Sequence, residues 1–168
     1  MNARFVTLVL LLFVWLEGDS VWAQYLPKLY QVFSPDKKLK MAIQRHNDGL
    51  LTYTFAANRE ILIKESPLSF KLESQETVPS SGWKIEKVSD RKVRDEWKPL
   101  WGKRAVVEDH FNELVIDLVN PAGQPERMQL VVRGYNDGFA FCYKIPDGKG
   151  PCVNVQSELT AYNFAGDY

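Results

Sequence analysis

Carboxylates are plentiful in this 168-residue sequence, which carries 21 acidic and 21 basic side chains. Two carboxylates at a fixed separation can hydrolyse a glycosidic bond, one as general acid and the other as base or nucleophile. Spacing along the chain limits which pairs can form. Glu108 and Asp109 are adjacent, so on a strand they point to opposite faces and cannot act together. Glu96 or Glu113 can serve a site, and each reads more simply as a surface group. The two histidines, His46 and His110, lack a carboxylate or cysteine at metal-ligand spacing, which argues against zinc. The chain has no G-x-S-x-G elbow, no glycine-rich phosphate loop and no EF-hand pattern.

Aromatic side chains form the second concentration of useful groups. Trp97 and Trp101 frame Lys98-Pro99-Leu100 in the most charged part of the sequence, and Gly102 follows at once. Two roles stay open for the pair. The rings can cap a hydrophobic core with their N–H groups bonded to loop carbonyls. Alternatively, one ring lies at the rim of a cleft, stacked on a sugar or a neighbouring domain, with Lys103 or Arg104 as hydrogen-bond donor.

The elements that must position these residues are strands. Apolar residues alternate with polar ones at Leu39/Met41/Ile43, Leu51/Tyr53/Phe55, Leu68/Phe70/Leu72 and Leu114/Ile116/Leu118. The pattern continues at Met128/Leu130/Val132 and Phe139/Phe141/Tyr143/Ile145. A period of two with one apolar face marks antiparallel sheets buried on one side. Asn-Asp-Gly occurs at residues 47–49 and 136–138, each time between alternating runs, which predicts hairpin turns with positive φ at Asp and Gly. The basic stretch Arg91-Lys92-Val93-Arg94, flanked by acids, reads as a solvated strand face. About ten short strands cannot bury their apolar faces in one flat sheet, so the expected fold is an all-β sandwich.

Met1-Asn2-Ala3-Arg4 followed by the apolar run Phe5 to Leu16 and the small-x-small triplet Val21-Trp22-Ala23 has the form of a secretory leader cut after Ala23. The apolar run is too short to cross a bilayer core of about 30 Å as a helix, and no membrane anchor is expected. The expected organisation is therefore a signal peptide over residues 1–23 and one β-sandwich domain over residues 24–168, in a periplasmic or secreted protein. Without the leader, 20 basic and 19 acidic side chains remain, a balance that suggests neither nucleic acid nor an anionic membrane surface. A hydrophobic fraction of 45% suits a packed domain. In an oxidising compartment Cys142 and Cys152 are candidates for a disulfide, the alternative being two unpaired small core residues.

Several segments together resemble the N-terminal domain of glycoside hydrolase family 97. They are "SPDKKLKMAIQRHNDGLLTYTFAANREIL", "SPLSFKL", "DEWKPLWGKRAVVEDHFNELVIDL", "LVVRGYNDGFAFCYKIP" and "ELTAYNFAGDY". The order W-x-P-x-W-G, His-Phe-Asn-Glu-Leu, Tyr-Asn-Asp-Gly-x-Ala-Phe carries most of the specificity. The resemblance implies an antiparallel β-super-sandwich (galactose-mutarotase-like), incomplete at the C-terminus. In such enzymes this sandwich precedes a catalytic (β/α)8 barrel that cleaves α-glucosidic or α-galactosidic bonds with help from calcium. It implies that the catalytic carboxylates lie in the barrel, so no catalytic or metal-ligand residue and no cofactor is carried onto this chain. The family often has Arg where Cys142 stands, and any ion pair of that Arg is lost here. The expected role is a non-catalytic module that packs on the barrel and shapes the cleft for an α-linked oligosaccharide. Trp97, Trp101 and Arg104 are the candidates for the carbohydrate or domain interface. A free-standing carbohydrate-binding module and an inactive truncated remnant are the alternatives. Intact-mass measurement of the exported chain is expected to place its first residue at Gln24; a mass that retains residues 1–23 would contradict the leader.

Overall fold

The computed structural model describes residues 28–73, 82–103, 105–121, 126–145 and 154–167, so the leader lies outside it. Among the described residues there are ten strands and no helix. The first five are β1 (Leu29–Phe33), β2 (Leu39–Arg45), β3 (Leu51–Ala57), β4 (Glu60–Pro67) and β5 (Phe70–Leu72). The others are β6 (Lys84–Trp97), β7 (Val107–Val119), β8 (Arg127–Gly134), β9 (Phe139–Lys144) and β10 (Val155–Glu158). β1-β2-β3-β4 make one antiparallel sheet, β6-β7-β8-β9 a second, and β5 pairs with β10. The all-β antiparallel sandwich expected from the alternation is what forms.

Register explains why the alternating triplets build a core. Leu114, Ile116 and Leu118 of β7 lie directly opposite Val132, Leu130 and Met128 of β8. Phe141 and Tyr143 of β9 continue the same rows against Val132 and Leu130. From the other sheet Met41 and Ile43 stand beside Phe55 and Tyr53. These inner faces meet in one cluster that also holds Val32, Leu51, Phe70, Leu72 and Trp83. Each fully buried side chain of this size stabilises the fold by about 1.5–3 kcal/mol. Trp83, 1% exposed, is the tryptophan that belongs to this core, and Arg45 Nε donates to its carbonyl at 2.5 Å.

The C-terminal aromatic stretch runs antiparallel beside β4 and β5. Leu159 N donates to Ser69 O, Ala161 N to Pro67 O, Lys64 N to Asn163 O and Ala165 N to Leu62 O. Tyr53 Oη donates to Ala161 O at 2.9 Å, which ties this segment to the core. Burial in turn raises the Tyr53 hydroxyl to a pKa of about 12.

The turns differ from expectation in their backbone. At residues 47–49 only Gly49 has positive φ, 87°, and its N–H donates to His46 O. Neither Asp137 nor Gly138 has positive φ, although Tyr135 N still closes that turn on Gly138 O. Positive φ at both central residues occurs instead at Asn58 (50°) and Arg59 (73°), the two-residue link between β3 and β4. Gly49 is fixed by a neighbour as well as by φ: a Cβ there would lie 2.5 Å from the backbone nitrogens of Gly82 and Trp83. Gly138 has open space around it. Gly49→Ala is therefore expected to cost at least about 2 kcal/mol in urea unfolding, from the left-handed backbone plus the displaced strand entry. Gly138→Ala, measured beside it, is expected to stay within about 0.5 kcal/mol of the parent.

Candidate functional site

β6 and β7 are the longest strands and outrun the sheet they belong to. β8 pairs with β7 only as far as Asn112↔Gly134, whereas β6 and β7 remain paired out to Trp97↔Val107. The last five rungs therefore form a two-stranded arm that projects about 17 Å past the β8 edge at 3.4 Å per residue. Trp97 ends β6 at 54% exposure, and at the tip Leu100 and Trp101 are 100% and 88% exposed. Gly102, at φ 140°, supplies a backbone conformation that L side chains rarely adopt. The two tryptophans of the sequence motif are thus brought to one projecting tip rather than into the core. Arg104, the third candidate, lies outside the described residues.

Period two places Trp97, Asp95, Val93 and Arg91 on one face of β6, pointing away from the sandwich core. Two rungs of the arm oppose like charges, Asp95↔Asp109 and Glu96↔Glu108, an arrangement that weakens strand pairing. Glu108 and Asp109 do point apart, as their adjacency requires, but each faces an acid across the arm.

At the base of the arm stands Glu113, only 4% exposed and therefore not the ordinary surface group its sequence context suggests. It is in register with Arg91 of β6 on one side and Arg133 of β8 on the other. Arg91 Nε donates to Oε1 at 2.5 Å and Arg133 Nε to Oε2 at 2.7 Å. The Arg91 hydrogen bond, helped by Arg133, holds the Glu113 carboxyl below its usual range although burial pushes the other way. The charged clamp is thus complete above the ordinary carboxylate pKa and is lost only as pH falls through the lowered folded value. The Arg133 guanidinium also lies over the Phe111 ring, 4.4 Å from its centroid, and Phe111 packs on Tyr135 at 5.3 Å. The alternation placed Glu113 opposite the core face of β7. Its two arginines, 22 and 20 residues away, become its neighbours only through strand register.

On the core side of the same strands an open slot of about 690 Å³ separates β1 from β6 and β7. Tyr30, Phe33, Asp90, Lys92, His110 and Asn112 line it, and Asn112 Nδ2 donates to Phe33 O at 2.8 Å. The other histidine, His46, lies on the first sheet, where its Nε2 is 2.6 Å from Glu65 Oε1 and 3.0 Å from Thr52 Oγ1. Both contacts share one ring nitrogen, so the set is not a proton relay, which needs one partner on each nitrogen. Among the described residues no three His, Cys, Asp or Glu side chains converge to hold a metal ion. Cys142 is a free, exposed thiol on β9; its candidate disulfide partner Cys152 lies outside the described residues.

Comparison with known proteins bears on what this architecture is. A family model described as glycosyl-hydrolase 97 N-terminal matches residues 32–168. A glycoside hydrolase family 97 enzyme from Pseudoalteromonas sp. strain K8, solved in complex with panose, matches with a TM-score of 0.70 and 26% identity. That match covers 81% of this chain and 20% of the enzyme. A family 97 enzyme from the same strain in complex with acarbose matches with the same values. A crystal structure of a beta-arabinopyranosidase matches with a TM-score of 0.69 and 26% identity, over 80% of this chain and 21% of its own. The chain spans about one fifth of the length of these enzymes. With the family model matched over residues 32–168, arm included, the chain belongs to the N-terminal domains of glycoside hydrolase family 97.

Proposed function

We propose that this domain is the non-catalytic N-terminal module of an exported α-glycosidase, and that its β6–β7 arm docks on the catalytic barrel and walls one side of the substrate cleft. The observation that carries this reading is the tip: Trp97, Leu100 and Trp101 stand exposed at the end of a two-stranded arm. A soluble domain rarely presents large apolar side chains together unless a partner covers them. Tryptophan is among the residues that contribute most when such a contact is buried. A (β/α)8 barrel keeps its active site at the C-terminal ends of its strands, so an arm laid across that mouth shapes access for an α-linked oligosaccharide. The panose and acarbose complexes of the Pseudoalteromonas enzymes support that ligand class.

Among the described residues, the arm does not supply the oxygen ligands that the calcium implied for family members would need. Calcium takes six to eight oxygen ligands. The arm offers two acid pairs, Asp95/Asp109 and Glu96/Glu108, on opposite faces, so no more than two carboxylates converge.

A free-standing carbohydrate-binding module is the second reading, favoured by the alignment of Trp97 with Asp95 and Arg91 on one face, a ring beside hydrogen-bonding groups. Trp101→Ala in an enzyme that carries this domain separates the two. Docking predicts a loss of roughly 2 kcal/mol of interdomain stabilisation, seen as a lowered Tm, together with a raised KM. Unchanged stability and kinetics would sink the docking role. Tight binding of panose to this chain alone, abolished by Trp97→Ala, would shift the assignment to the binding module.

A further inference from the structure

The arm carries little that fixes its direction. Beyond Asn112 it has no third strand, and two of its five rungs oppose acid to acid. A two-stranded ribbon is marginally stable alone and twists freely. The last rung but one before β8 ends joins three strands through side chains: Arg91, Glu113 and Arg133 in register, with one buried carboxylate bridging two guanidinium groups. Arg133 passes the restraint outward, because the same guanidinium covers Phe111 on the first free rung of the arm. Phe111 is itself buried, and it leans on Tyr135 at the start of the β8–β9 turn. On the opposite face Asn112 holds the end of β1, and Asn136 Oδ1 accepts from Asp36 N at 2.9 Å, joining the β8–β9 turn to the β1–β2 turn.

We infer that Glu113 is a positioning residue: its two-arginine clamp, continued through Phe111, sets the angle at which the arm leaves the sheet and so places Trp97 and Trp101. The value of this for docking rests on the arm being the docking element, but the angle itself does not depend on it. A carboxylate held between two planar donors restrains direction, because each guanidinium donates to its own carboxylate oxygen along a fixed line. The neutral amide of Gln offers one oxygen in place of two and carries no charge. Glu113→Gln therefore keeps the shape of the site but releases one arginine.

The test is a spin-label distance between Lys98→Cys on the arm and Lys144→Cys on β9, in a chain with Cys142 and Cys152 changed to Ser. The clamped parent is expected to give one narrow distance peak, and Glu113→Gln a distribution at least twice as wide, with circular dichroism unchanged. Should Glu113→Gln fail to fold, Arg91→Gln decides the question, since Arg91 is largely exposed and its loss opens one side of the clamp only. A narrow peak in the folded variants would overturn the inference. Trp101→Ala in the same labelled chain is expected to leave the peak narrow, so a tip that docks nothing does not alter this result.

Discussion

The pairing of β7 with β8 is the constraint on which the rest depends. One register sets Ile116 against Leu130 on the inner face and Glu113 against Arg133 on the outer. Because strand side chains alternate with a period of two, a slip by one residue would exchange the faces, burying the carboxylate in the core and turning Ile116 to water. The hydrophobic cost of that slip fixes the register, and the ion clamp follows from it. The core thus determines where the arm begins, since Asn112↔Gly134 is the last rung that β8 can reach.

Much of this was legible in the sequence, because alternation is a local property. Leu114, Ile116 and Leu118 announce a strand with one buried face wherever the partner lies. What was not legible depends on partners distant in sequence. Glu113 looked like a surface acid because nothing near it in the chain reveals Arg91 and Arg133 on the flanking strands. The two Asn-Asp-Gly turns show the same limit. Gly49 is held at positive φ beside a passing backbone at Gly82 and Trp83, whereas Gly138 meets nothing and takes an ordinary φ. Asn58 and Arg59 went unread because Arg is not a usual residue for a left-handed turn.

The tryptophans divide by the same logic. Trp83 follows Gly82 directly into β6 and is buried, while Trp97 ends that strand, Trp101 lies at the tip beyond it, and both are exposed. Ring size does not decide the outcome; the reach of the neighbouring strand does. β8 flanks only the base of the β6–β7 pair and stops at Gly134, which leaves the far end to present apolar side chains outward. The domain in this way combines a packed sandwich with a projecting arm.

The opposed acids of the arm have a thermodynamic consequence. The Debye length at physiological ionic strength is about 8 Å, longer than the roughly 5 Å between Cβ atoms across a strand pair, so dissolved salt relieves the repulsion only in part. A cation held in contact relieves it more fully. Pairing along the arm is therefore expected to tighten modestly as ionic strength rises.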